Sequence, residues 1–130
     1  MKIVADTNIF LATALNEPEK GMIISLTVGH ELVAPEVLPF EIGNALSAMV
    51  KRGRLTEREG LSAYDEIQKV PVELRGIEIR KALTIASQHR IYAYDAYFLQ
   101  CALAMRCPLF TLDAAMKDLA AQLGIVLLEE

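Results

Sequence analysis

Short apolar runs alternate with stretches of helical periodicity along this chain, and that alternation leaves few folds open. Lys2-Ile3-Val4-Ala5 is apolar and β-branched, and it stops at Asp6-Thr7-Asn8, the pattern of a buried strand feeding a helix. Leu32-Val33-Ala34, closed by Pro35, reads as a second strand. Val70-Pro71-Val72-Glu73-Leu74 reads as a third, whose proline suits a sheet edge. Pro108-Leu109-Phe110-Thr111-Leu112 and Ile125-Val126-Leu127-Leu128 supply a fourth and a fifth. Between them, helices are expected over residues 8–15, 19–28, 36–51, 77–89, 95–105 and 113–123. A further helix runs to residue 68 from Thr56 and Glu59, which have the form of a capping box. In the 36–51 stretch Leu38, Ile42, Ala45 and Met49 recur at helical spacing, and Pro39 falls in the first turn, where its missing N–H costs little. Strands joined through helices imply right-handed crossovers and a mainly parallel sheet with helices on both faces, an α/β fold. In such sheets a site forms outside the carboxyl ends of the strands, where strand order reverses. Asp6 and Asp113 each lie immediately after a strand, so both are expected at that edge.

The chain has 130 residues, 53% of them apolar and 23% charged, which fits a single domain over residues 1–130 with an ordinary hydrophobic core. No apolar run approaches the ~18–20 residues of a membrane span, and the first residues turn acidic too soon for a signal peptide. Cys101 and Cys107 lack C-x-x-C spacing and sit in an apolar setting, as reduced core thiols do. These features suit a cytoplasmic protein that makes no membrane contact. Thirteen Lys and Arg against 17 Asp and Glu leave a formal charge of -4, which counts against a surface that wraps nucleic acid by neutralising phosphates. It does not count against a small acidic pocket that meets phosphate through cations. Lys51, Arg52 and Arg54 form the one dense basic group, where pairing with a helix C-terminus and solvation compete with RNA contact as explanations. For Tyr92, Tyr94 and Tyr97 around Asp95, core or rim packing competes with stacking on a base. His30 and His89 have no nucleophile or metal-spaced partner.

Four acidic residues stand out: Asp6, Glu41, Asp95 and Asp113. Each aspartate is placed to start a helix, and each is explained singly as an N-cap that accepts orphan N–H groups. Glu41 is different. At ~100° per residue it falls about 60° from Leu38, at the border of the apolar arc, with Asn44 on the same flank. A carboxylate beside a core-facing stripe needs a partner, a distant Arg or a path to solvent, because an unpaired buried charge costs several kcal/mol. If the four share one pocket, mutual repulsion raises their pKa values, and a bound cation is what stabilises them ionised. Oxygen donors suit Mg²⁺ or Mn²⁺, whereas zinc wants a His/Cys set that this chain lacks.

Four segments, in order, carry a resemblance: Ile3-Val4-Ala5-Asp6-Thr7-Asn8, Pro39-Phe40-Glu41-Ile42-Gly43-Asn44-Ala45-Leu46, Ile91-Tyr92-Ala93-Tyr94-Asp95-Ala96-Tyr97-Phe98 and Leu109-Phe110-Thr111-Leu112-Asp113. Together they resemble the PIN-domain ribonucleases, specifically the VapC-like toxins of type II toxin–antitoxin pairs, over nearly the whole chain. The resemblance implies a three-layer α/β/α sandwich around a five-stranded, mainly parallel sheet. It also implies metal-dependent endonucleolytic cleavage of RNA that leaves 5′-phosphate and 3′-hydroxyl ends. Asp6, Glu41, Asp95 and Asp113 match the family's metal-binding, catalytic acids. Thr7, Asn8 and Thr111 adjoin them, either orienting carboxylates and water or making plain turn and cap hydrogen bonds. A further acid often lies near the last position; here the nearest is Asp118, five residues on and expected to turn away into solvent. An RNA substrate, a cognate antitoxin and a homodimer are the partners implied.

Other enzymes and binding modules fit less well. A phosphatase of the haloacid-dehalogenase type wants an acid/base Asp two residues after the first, where this chain has Asn8. A receiver domain wants paired acids at the first strand, a phosphorylatable Asp after the third and a Lys after the fifth, none of which is present. The alternative kept open is a PIN fold that binds RNA or a partner without cutting.

Overall fold

The computed structural model describes residues 1–130. Its elements run β1 (Lys2–Ala5), α1 (Thr7–Ala14), α2 (Lys20–Thr27), β2 (Glu31–Pro35), α3 (Leu38–Lys51), α4 (Glu57–Gln68), β3 (Val72–Arg75), α5 (Ile79–His89), α6 (Ala93–Met105), β4 (Leu109–Phe110) and α7 (Ala114–Gln122). The most apolar run takes the centre of the sheet. Ile3, Val4 and Ala5 are fully buried, and β1 pairs in parallel with β2 on one side and β4 on the other. The order is β3-β2-β1-β4, all parallel, and β3, preceded by Pro71, lies at an edge as its proline requires. The helices form two groups: α1 packs on α2, α3 and α4, while α5 packs on α6, which lies against β1, β2 and β4. That is a sheet between helical layers, and 27 buried apolar residues make one continuous core through it.

Local signals place the helix ends. Thr56 Oγ1 accepts from the Glu59 N–H at 3.1 Å while Glu59 Oε1 accepts from the Thr56 N–H at 2.9 Å, completing the capping box. Gly53 and Gly124, just beyond α3 and α7, adopt φ of +74° and +75°, a conformation glycine reaches without strain. Leu38, Ile42 and Leu46 bury one stripe of α3, which turns the flank carrying Glu41 toward the carboxyl ends of the strands.

The sheet has four strands, not the expected five. Residues 125–128 make only one isolated bridge, Leu109 to Leu127. The cause lies in their partner. β4 is two residues long: just beyond it the Leu112 N–H donates to the Asn8 side chain rather than to a strand. Nothing remains beyond Phe110 for a fifth strand to pair with, and Val126 faces solvent.

Candidate active site

The chain steps from β1 to β2 to β3 in one direction, then returns with β4 on the far side of β1. Strand order therefore reverses between β1 and β4, where a crevice opens beyond their carboxyl ends. The Asp6 N–H donates to the Phe110 carbonyl at 2.9 Å, the last rung joining the two strands. From that point the two chains diverge into α1 and α7, with Asp6 and Asp113 as their N-caps.

Asp6 is held on both oxygens. Its Oδ1 accepts from the Thr7 N–H at 2.8 Å, and its Oδ2 accepts from the Thr111 hydroxyl at 2.8 Å and from Asn8 Nδ2 at 3.4 Å. The Thr111 oxygen in turn accepts from the Asp113 N–H at 3.1 Å, and Asn8 Oδ1 accepts from the Leu112 N–H at 3.2 Å. Asn8 and Thr111 thus stitch the β1–α1 junction to the β4–α7 junction. Asp113 Oδ1 accepts from the N–H groups of Ala115 and Met116 at 2.8 and 3.2 Å, leaving its other oxygen to the crevice. The Thr7 hydroxyl donates to Glu41 Oε2 at 2.6 Å, tying α3 to the same corner.

All four carboxylates line one cleft of about 410 Å³, together with Thr7, Asn8, Asn44, Phe40 and Tyr94. The capping explanation holds for Asp6 and Asp113 and fails for Asp95. Helix α6 starts earlier than expected, at Ala93 behind Tyr92, so Asp95 lies inside its first turn and its side chain caps nothing. Asp118 is exposed on α7 and lies outside the cleft lining. Lys51, Arg52 and Arg54 are exposed at the far end of α3 and also lie outside it. Cys101 is buried, its thiol pushed up to about 11 by loss of solvent, and Cys107 is half-buried; both are free. Tyr94, for which rim packing competed with base stacking, lines the cleft, and so does Phe40, which patterning alone did not single out. Their signal was adjacency: each immediately precedes a carboxylate of the cleft in a helix's first turn.

The electrostatics are those of an uncompensated acidic pocket. Burial raises the Asp6 carboxyl to about 6, against the pull of the Thr111 and Thr7 hydrogen bonds, with repulsion from Asp95 and Glu41 adding to the rise. Glu41 is raised by burial, opposed by the Thr7 hydroxyl and reinforced by Asp95. Asp95 is raised by burial and then by the charge of Asp113. The ion pairs of the chain lie elsewhere, joining Lys2 and Arg75 to Glu73, Lys69 to Glu66 and Lys81 to Glu78. No three of these carboxylates close on a point as a complete ligand cage. The donors are hard oxygens in an open cleft with no cationic side chain among the lining residues. That chemistry fits a hydrated divalent ion, since Mg²⁺ keeps several waters and takes few protein ligands.

The fold, the switch-point cleft and its acids define a family, and the chain belongs to it: the PIN domain family model matches residues 3–122. Among curated proteins, the chain is 28% identical over 124 residues to a VapC ribonuclease of Mycobacterium bovis, Mb0985, with 89% of each chain covered. Ribonuclease VapC9 of Mycobacterium tuberculosis is similar to the same extent. Among solved structures, PAE2754 from Pyrobaculum aerophilum shares the fold with a TM-score of 0.71 at 18% identity, covering 92% of this chain and 84% of that one. VapBC2 from Rickettsia felis, bound to a DNA fragment from its promoter, gives a TM-score of 0.65 at 14% identity over 98% and 97%.

Proposed function

We propose that the protein is a Mg²⁺- or Mn²⁺-dependent endoribonuclease, the toxin component of a type II toxin–antitoxin pair. The observation that carries this reading is the gathering of Asp6, Glu41, Asp95 and Asp113 in one cleft without a protein cation. Similarity to proteins named VapC ribonucleases supports it. Asp6, Asp95, Asp113 and Glu41 would hold the metal, directly or through water. A divalent ion bound there supplies an activated water and neutralises charge that develops on a phosphodiester.

The chain's own side chains prepare that chemistry. The Thr111 hydroxyl and the Thr7 N–H fix the plane of the Asp6 carboxylate, and the Thr7 hydroxyl fixes Glu41, so neither must reorient when a ligand arrives. Without a cation, Asp6 retains a proton up to about pH 6. Ionised Asp6 would hold a cation more strongly than the protonated form, so metal affinity would rise with pH. No helix is long and apolar enough to cross a membrane, and the reading places the protein in the cytoplasm. Its implied partners are the RNA substrate, a second copy of the chain, and an antitoxin whose segment presents a basic side chain to the acids.

Sequencing the RNA ends produced by the purified protein, with and without Mg²⁺ or Mn²⁺, tests the reading. Metal-dependent cuts leaving 5′-phosphates, abolished by EDTA and by Asp6→Asn, are expected. RNA binding without any cut would favour the non-cleaving alternative, and full activity of both Asp6→Asn and Asp95→Asn would sink the site assignment.

A further inference from the structure

Two aromatic side chains on the rim of the acidic cleft do no structural work for the core. Phe40 is 77% exposed and Tyr94 is 55% exposed, and both line the same cleft as the four carboxylates. Each is the residue before a carboxylate, Phe40 before Glu41 on α3 and Tyr94 before Asp95 on α6, so each ring lies about 100° round its helix from an acid. The Tyr94 ring is not free to lie flat against the surface. It meets Tyr97 edge-on, with centroids 6.0 Å apart and planes at 86°, and Tyr97 is half-buried against the core. Tyr94 thus stands exposed at the cleft mouth beside a ring anchored in the core.

Resting on the nuclease reading, we infer that Phe40 and Tyr94 are stacking platforms for the unpaired bases that flank the phosphodiester held at the acids. A nucleotide engages both chemistries of the cleft at once, its phosphate at the carboxylate site and its base on a ring face. A basic peptide side chain could also meet both, by ion pairing with the acids and cation–π contact with a ring, and the abasic oligomer and the antitoxin readout below separate the two occupants. Stacking tolerates any base, because every base has a π-face, so the rim selects for single-stranded character rather than for sequence. A duplex hides those faces, which directs the enzyme to loops, bulges and ends.

The sequence contains no tryptophan, so Phe40→Trp creates a unique fluorophore at the rim. In an Asp6→Asn background that does not cut, a mixed-sequence single-stranded 15-mer RNA should quench this fluorescence. An abasic oligomer of the same length, with the same phosphates, should not. Phe40→Ala and Tyr94→Ala should each raise KM for a single-stranded substrate by about five- to a hundred-fold, the range that loss of one stacked base gives. In both, kcat should change less than about twofold. Tyr94→Phe, which keeps the ring, should behave as wild type. Equal quenching by the RNA and abasic oligomers, or an unchanged KM in both alanine variants, would overturn the inference. So would loss of a co-purifying antitoxin from Phe40→Ala with KM unchanged, which would assign the rim to a protein partner. If the wild-type protein neither binds nor cuts RNA, the nuclease reading fails first; if it cuts while the rim variants are silent, only the stacking inference fails.

Discussion

The two walls of the acidic cleft are held in opposite ways. On the strand side, Asp6 sits at the end of the central ladder, almost wholly buried, with a backbone N–H, a hydroxyl and an amide on its two oxygens. On the helix side, Glu41 takes one hydrogen bond from Thr7, and Asp95 is shaped by burial and the neighbouring charge of Asp113 alone. The strand wall is set by the fold; the helix wall is poised by electrostatics and can adjust to what enters. Substitutions on the first wall should therefore alter both stability and turnover, and those on the second chiefly turnover.

The largest effect is expected at Asp6. Asp6→Asn should lower kcat for RNA cleavage by roughly a thousandfold or more, since it removes the carboxylate nearest the switch point. It should also stabilise the metal-free protein at neutral pH. The folded Asp6 carboxyl is raised to about 6 against about 3.9 unfolded, so the native state binds the proton more tightly. Its contribution to stability is full below about pH 4 and is lost as pH rises through about 6, a swing of about 3 kcal/mol. Denaturant titrations of the metal-free wild type and variant from pH 4.5 to 7.5 check this. A wild-type curve no steeper than that of the variant would return Asp6 to the ordinary carboxyl range and erase the contrast between the walls.

Asp95→Asn should come next, losing about a hundredfold or more in kcat while the metal-free melting temperature holds or rises, because the cost of burying its charge is removed and repulsion with Asp113 is relieved. A large drop in melting temperature would show that the helix wall is as built-in as the strand wall. Thr111→Val should cost about 10–100-fold in metal-dependent activity, as loss of an orienting partner does, and should move the rate–pH profile to higher pH because Asp6 loses the bond that most opposes its rise. Thr7→Val should cost least, about tenfold or below, since the half-buried Glu41 recovers water in place of the hydroxyl. An effect of Thr7→Val exceeding that of Thr111→Val would invert the comparison.

Much of this arrangement was legible in the residues. The β-branched run ending at Asp6, the capping box at Thr56 and the proline beside β3 are local signals, and the structure follows each of them. Placement of Asp6 and Asp113 at one edge followed from parallel connections alone. What was not legible depends on long-range pairing. The run 125–128 has the composition of a strand, yet whether it extends a sheet depends on how long its partner stays paired, and just beyond that partner the Leu112 N–H goes to Asn8, 104 residues away in sequence. The start of α6 was misplaced too. Asp95 looks like a cap by type, but the helix begins at Ala93 behind Tyr92 without any side-chain cap, and Asp95 falls in its first turn. Tyr94 was legible as a rim candidate beside Asp95, whereas Phe40 was not, because exposure is invisible in hydropathy.

The brevity of β4 has a consequence for how the site opens. Leu109 spends its own N–H and carbonyl on the 126–128 segment, donating to Val126 and accepting from Leu128 at 2.9 Å each, while the carbonyls of Pro108 and Phe110 turn the other way to β1. Half of this strand's anchorage therefore rests on two bonds to a segment that forms no strand of its own. Amide exchange at Leu109 and Leu128 should report the least costly local opening next to the cleft, and each such opening slackens Thr111 and Asp113 together. The most deeply buried acid of the cleft is thus tethered, through one hydroxyl, to the end of a strand whose outer side is held by two backbone bonds.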